Sequence, residues 1–509
     1  MRKTHVGWTV AAMMLALLLA SLDQTIVATA MPTIVSELKG MDIYSWVFTS
    51  YMLTSTTVMP IIGKLSDMYG RKLFFLLGLG IFMIGSALCG IADSMTELVL
   101  YRGLQGLGAG SLMPTAFTII FEIFPPEKRG RMQGIFGAVF GMSSVFGPSL
   151  GAYITESISW HWIFYINLPL GILSFMILWF SLTETRAEGY MPKVDYLGAG
   201  TMAVSIVTLL LGLVFGGKEY AWTSWQVIGL FGASLLFLIL FLVMERKASE
   251  PMLPLTMFRN PVVTVVTLVT FIQGIAMMGG ASYIPLFVQG VLGGSASNAG
   301  YILTPMMLSL VVGSTLAGFA MRKFSYRTIT VAAMAVISLG SFLLTGLSVD
   351  TSSLEVTFSM IVLGLGIGPL MPVTMTAVQG AVDASQRGVA TSSVAFFRSI
   401  GGTVGVAVMG AIITHHMTVS LADKLSGISM DGAVLQDPQA LLQPEARAAI
   451  PAPVLSVLQG ALADAIAYVF LFGFIAAVIG VVISFFLGNS RLETRKQSMK
   501  SQPVGDSSL

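Results

Sequence analysis

Residues 104–152 and 362–410 repeat one another. GLGAGSLMP runs from Gly106 to Pro114 and GLGIGPLMP from Gly364 to Pro372, an offset of 258. At the same offset Arg129-Gly130 meets Arg387-Gly388, and Gly147 meets Gly405; at an offset of 255, Gly63 meets Gly318, each leading into a short basic turn. Two copies of one unit must fold in nearly the same way. Duplicated many-helix units are the construction of many secondary transporters, whose substrate site lies between the copies.

The composition places those units in lipid. Of 509 residues, 10 % are charged and 55 % hydrophobic, against about 25 % charged in soluble domains. The single cysteine, Cys89, excludes an intrachain disulfide and a cysteine-based metal cluster. The net charge of +2 says nothing of a nucleic-acid partner, and none is expected. Arg2 and Lys3 before an apolar run from Trp8 have the outline of a signal peptide, but Asp23 interrupts the run and no clear cleavage site ends it. It reads as a first membrane span.

A span needs about 20 mainly apolar residues. Fourteen such stretches are present: 8–31, 46–65, 73–92, 98–122, 133–155, 162–182, 195–215, 225–245, 262–285, 298–320, 328–347, 355–379, 389–414 and 463–487. With both termini cytoplasmic, twenty-one of the 27 lysines and arginines fall inside, four (Lys39, Lys218, Lys424, Arg447) fall outside, and Arg102 and Arg398 lie within spans. This is a strong positive-inside signal. The repeat then divides the chain into an N-terminal six-helix bundle (1–185), two inserted helices with a linker (186–258), a C-terminal six-helix bundle with a long outer loop at about 415–462 (259–490), and a cytoplasmic tail (491–509). The fold class is all-α integral membrane, and the location a cell membrane.

Five motifs carry a family resemblance. They are GKLSDMYGRK between helices 2 and 3, YRGLQGLGAG on helix 4, GMSSVFGPSLGA on helix 5, LDQTIVATAMP on helix 1, and WHWIFYINLP at the helix 5–6 junction. In this order the chain resembles the major facilitator superfamily, and the last two motifs are similar to its fourteen-helix drug:proton antiporters. It departs at His161, where that family usually has Arg, and at Ala152, where the helix-5 motif usually ends in a second glycine. The resemblance implies two six-helix bundles around a central site; with no nucleotide-binding domain in the sequence, an ion gradient, here of protons, is expected to drive transport, with no cofactor and a monomeric protein.

Asp23 sits near the middle of the first span, where a carboxylate is costly and is a functional hypothesis by default. The resemblance makes it a proton carrier; the alternative is a packing hydrogen bond. Arg102 stays charged at any relevant pH. The resemblance has it act on Asp23, while its nearness to the outer end also allows snorkelling. Asp67, Arg71 and Glu122 lie together on the inner side. An Asp facing the N-terminus of a neighbouring helix is favoured by the dipole, and the resemblance reads the three as a latch between the halves. The second copy has Arg322 where Asp67 would fall, so the latch is expected on one side only.

Gly137, Gly141, Gly147, Pro148 and Gly151 line helix 5. Small residues allow close helix approach and Pro bends the chain. The resemblance expects this helix to seal against its symmetry partner and block proton leak, which favours export over symport. Thr25, Tyr51, Gln105, Met113, Phe136, Phe140, Gln273, Tyr283, Phe396 and Phe397 are expected to line a substrate cavity, although such residues also serve as plain packing. Arg398 is expected near the cytoplasmic third of helix 13, against lipid headgroups or Asp383, with a direct transport role and a structural one both open.

No GxSxG, HExxH or Walker sequence points to catalysis, and His415-His416 alone does not make a metal site. The expected activity is proton-coupled export of a small lipophilic compound, with a cationic group allowed. Export of one dedicated metabolite, lipid or siderophore, a membrane sensor without transport, and sugar symport are the alternatives.

Overall fold

The structure, a computed structural model, describes residues 4–40, 43–183, 193–217, 219–424 and 451–491. Its helices are α1 Val6–Leu38, α2 Trp46–Tyr69, α3 Arg71–Gly90, α4 Met95–Ile123, α5 Pro126–Ser157, α6 Trp162–Ser181 with a break at Ile166, α7 Tyr196–Phe215 and α8 Trp225–Lys247. They continue as α9 Pro261–Gly290, α10 Ala296–Ala320, α11 Tyr326–Leu344, α12 Ser353–Gly380, α13 Arg387–Lys424 and α14 Ala452–Ser484. Among the described residues, 12 of these are long and apolar enough to cross a bilayer, and α5 joins them once its two limbs are counted as one span. The remaining helix, α2, has 24 residues and the length to cross, but it is rich in Ser and Thr because it packs inside the protein. Large apolar side chains such as Leu100, Ile172, Leu235, Leu316 and Ile479 are exposed around the outside. In water such a surface would be costly; against lipid it is the expected one.

The duplication is built in glycine. In α4, a Cβ on Gly106 or Gly110 would meet the α2 backbone at Tyr51 and Ser55, and one on Gly108 the α3 backbone at Phe82. In α12, Gly364 and Gly368 meet α10 at Met306 and Leu310, and Gly366 meets α11 at Ile337. The same three glycines thus seat the fourth helix of each half between its second and third. Lipid offers no hydrophobic drive for helices to associate, so this backbone-to-backbone contact is what binds them.

The halves meet crosswise. α5 packs on α10, and α2 packs on α13. The helix-5 glycines therefore do not seal against their symmetry partner α13. Gly134 and Gly141 meet Ser314 and Val311 of α10, whereas Gly147 and Gly151 meet Thr25, Ile26 and Thr29 of α1. A two-fold relation between the units pairs the fifth helix of one with the second of the other. α5 bends by 40° between its limbs Met132–Ser143 and Phe146–Ser157, where the ring of Pro148 clashes with the carbonyl four residues before it and cannot bond to it.

The inserted helices α7 and α8 pair with each other, and α7 lies against α2 and α13. Met202, Ile206, Leu210 and Phe241 form a cluster there with Ile400, flanked by Leu53 and Ile61. The expected loop at 415–462 is helical at both ends, because α13 runs on to Lys424 and α14 begins at Ala452. Residues 425–450, and the tail from 492, lie outside the described residues.

Candidate functional site

Asp23, at 1 % exposure, is enclosed by donors from two helices. Its Oδ2 accepts from Arg102 Nη1 at 2.5 Å, and its Oδ1 accepts from Gln105 Nε2 at 2.8 Å and Asn167 Nδ2 at 3.3 Å. Arg102, also 1 % exposed, donates further to Gln105 Oε1 at 2.7 Å and to the Val47 carbonyl, and its guanidinium lies 4.2 Å from the ring of Tyr51. α4 sets this geometry. Arg102 and Gln105 are three residues apart and therefore share a face, and Gly85 of α3 allows the close approach of the Gln105 backbone. Asn167 is held in turn by Ser86 Oγ at 2.9 Å. The charges balance inside a shell of hydrogen bonds, the condition under which a buried pair is tolerated.

Arg102 is thus buried and paired, and does not snorkel. At the offset of 258, its counterpart in α12 is Met360, and that of Gln105 is Leu363. The charged cluster belongs to one half. Asn167 was not among the residues expected at the site. It lies just after the break in α6, and an amide at the head of an apolar run is the signal that could have found it.

A second cluster joins the halves on the side of the membrane where α2 ends and α13 begins. Asp67 accepts from the amides of Gly388 at 2.8 Å and Val389 at 2.9 Å, the start of α13. Arg71 pairs with Asp67 at 2.7 Å and with Glu122 at 2.9 Å, and donates to the Ala384 carbonyl at 3.1 Å. A carboxylate at a helix N-terminus meets both free amides and the positive end of the dipole. Arg129 and Arg387, equivalent in the repeat, both lie over the ring of Phe121, at 3.9 and 5.0 Å. Gln133 of α5 bonds Gln379 and Thr376 of α12 at 3.0 Å each. Together these contacts close the molecule on that side.

The ten residues expected to line a cavity do not form one group. Gln105 belongs to the Asp23 cluster, and Tyr51 lies against Arg102. Thr25 bonds the Ser143 carbonyl where α1 meets α5. Phe136 is fully buried beside Phe117, and the Tyr283 hydroxyl donates to the Val406 carbonyl at 2.8 Å. Gln273 is buried and donates to the Ile367 carbonyl. Phe396 packs into the α7 cluster, and Phe397 meets Phe396 and Phe258. Met113 touches Arg398, which reaches neither headgroups nor Asp383. The side chain of Phe140 lies outside the described residues, as do the surroundings of Gly137 of the helix-5 motif. Among the described residues, no group of three His, Cys, Asp or Glu could hold a metal ion.

A family model described as Major Facilitator Superfamily matches residues 13–194 and 196–406. The chain belongs to the major facilitator superfamily. It is 44 % identical over 506 residues to Multidrug resistance protein 3 of Bacillus subtilis, covering 98 % of each. It is 41 % identical to the Multidrug transporter protein MdtP of the same organism, covering 95 % of this chain and 93 % of that one. Among solved structures it is similar to the human organic anion transporter MFSD10 (TM-score 0.61, 14 % identity, 92 % of this chain and 99 % of that one). It is also similar to a bacterial homolog of the human lysosomal transporter Spinster (TM-score 0.55, 17 % identity, 97 % and 100 %). Those two likenesses speak for the fold. The chain is therefore a multi-pass membrane transporter of the superfamily.

Proposed function

We propose that this transporter exports small lipophilic compounds of more than one kind across the cytoplasmic membrane, in exchange for protons. The observation that carries the reading is the enclosed Asp23–Arg102 pair, whose Arg102 lies on the same α4 that carries Glu122 to the latch. Two relatives named for multidrug transport, matched over nearly their whole length, support the substrate breadth. The lysine and arginine tally supports cytoplasmic termini, which makes the closed side the cytoplasmic one.

In this reading the charged Asp23 holds Arg102. A proton arriving from outside neutralises Asp23 as substrate leaves, and its hold on Arg102 weakens. α4 is continuous from Arg102 to Glu122, about 30 Å at 1.5 Å per residue, and transmits the change to Arg71 and Asp67. The latch opens, the halves rock about the centre, and Asp23 gives its proton to the cytoplasm. Substrate then binds and closure follows.

The test is proton flux into proteoliposomes loaded with a pH dye, on adding a panel of lipophilic compounds that includes ethidium. Flux driven by substrate in the wild type, and lost in Asp23→Asn, is the expected result. Undiminished flux in the variant would move the coupling to another residue, and no flux with any compound would overturn the exchange mechanism.

A further inference from the structure

Arg398 is a half-buried charge, its Nη1 fully enclosed, that the cycle above does not use. It lies eleven residues into α13, about 16 Å from the start of that helix, which is close to the middle of a bilayer core of about 30 Å. Headgroups are out of reach. Its Nη2 donates to Met113 Sδ of α4 at 3.5 Å, and its Nη1 is buried with no hydrogen-bond partner. A thioether is a weak acceptor and no match for a guanidinium.

Among the described residues, the helices packed against α13 supply no counter-charge. α9 and α7 contain no acidic residue, and the only acid in α2 is Asp67, at the latch. The acids of α4 and α12 (Glu97, Glu122, Glu355) lie in their first or last turns, and Asp464 of α14 is exposed about twenty residues from the terminal-side end of that helix. Asp23, the acid at mid-span, is already held by Arg102, Gln105 and Asn167. Nor can α13 turn the side chain elsewhere. A Cβ on Gly274 of α9 would overlap the Arg398 carbonyl, and Ser399 is bonded to Thr56 of α2 at 2.8 Å. At the repeat offset of 258 the first half has Phe140 at this position, so neither symmetry nor packing calls for a cation. An ionisable side chain kept at such depth marks a substrate path, and an unpaired buried charge is costly until something pairs with it.

We propose that Arg398 binds an anionic group of the transported compound, so that the substrates are amphipathic molecules bearing a carboxylate or sulfonate, with the flexible Met113 against their apolar body. This deepens the transport reading and rests on it. It also replaces the cationic substrate expected of Asp23, because Arg102 already provides that carboxylate's partner.

Binding tests the assignment without any proton gradient. The transporter in lipid nanodiscs is titrated with rhodamine B and its ethyl ester, and with fluorescein and its ethyl ester, following fluorescence anisotropy. Each pair differs in one carboxylate. The wild type is expected to bind the acids about tenfold more tightly than the esters, the worth of one hydrogen bond to a charged group. Arg398→Met should remove that preference while ester affinity holds, and Arg398→Lys should keep part of it. Equal affinity for acid and ester in the wild type, binding of neither, or equal weakening of both in Arg398→Met would overturn it. The coupling proposal fails separately: acid preference that persists while Asp23→Asn still exchanges protons would remove the role of Asp23 and leave that of Arg398.

Discussion

The carboxylate of Asp67, in the first half, caps the helix that begins at Arg387 in the second, 2.8 Å from the amide of Gly388. The cap joins two bodies that separate in the proposed cycle, so its strength bears there on the equilibrium between states and not on folding alone. Losing a helix cap costs about 1–2 kcal/mol, or roughly tenfold in a two-state ratio. Asp67→Ala should open the closed side to about that extent. Thr376, buried and bonded to Gln133 across the halves, reports it: in Thr376→Cys, labelling by a membrane-impermeant maleimide from that side should speed up when Asp67→Ala is added. Native Cys89 is buried and does not compete. No change in labelling rate would show that Arg71 and the Gln133–Gln379 bond hold the closure without the cap.

Asp23 and Arg102 are each other's counter-charge, which predicts a non-additive pair. Removing one partner of a buried ion pair costs about 3–5 kcal/mol, because the other stays charged and unpaired. Asp23→Leu and Arg102→Leu should each lower the melting temperature strongly, and the double variant should lie well above the sum of the two losses. Transport should fail in all three. Additive losses in the cycle would mean that Gln105 and Asn167, and not the pair itself, carry the stability of the cluster.

Much of this was legible in the chain. Glycines at a fixed offset show the duplication, and a lone Asp or Arg in an apolar run is visible because lipid tolerates so few. Asn167 was not legible. Its side chain is uncharged, and its meaning depends on α6 reaching α1 and α3. Nor did the symmetry of the sequence give the right partner for α5, since a repeat suggests like against like, whereas the axis between the halves sets α5 against α10. The cavity residues were chosen by type, and type does not tell which side of a helix faces the centre. Phe396 and Arg398 are two residues apart on α13, and one faces the inserted helices while the other faces α4.

The glycine seats separate close packing from lipid contact. A Cβ on Gly366 would lie 2.6 Å from the Ile337 amide nitrogen, and one on Gly108 would collide with the α3 backbone, whereas Gly80 has nothing within 4 Å. Gly108→Val and Gly366→Val should therefore give little folded protein, to a similar degree in the two halves. Gly80→Ala should be neutral or stabilising by up to about 1 kcal/mol, from helix propensity. Monodisperse yield after detergent extraction is the measurement. Tolerance of valine at Gly366 alone would mean that the halves do not share one packing scheme.

Phe396 decides what the inserted helices do. It packs beside Met202, Ile206 and Leu210 of α7 where that helix covers the meeting of α2 and α13, so it binds the insertion to the join between the halves. Phe396→Ala leaves a gap there and should cost about 1–3 kcal/mol, less than a fully buried phenylalanine. Phe396 faces α7 and not Arg398 and Met113, so the ratio of affinities for acid and ester dyes should stay at the wild-type value while thermal stability falls. A changed ratio with unchanged stability would instead return Phe396 to the substrate path and place α7 on the wall of that path.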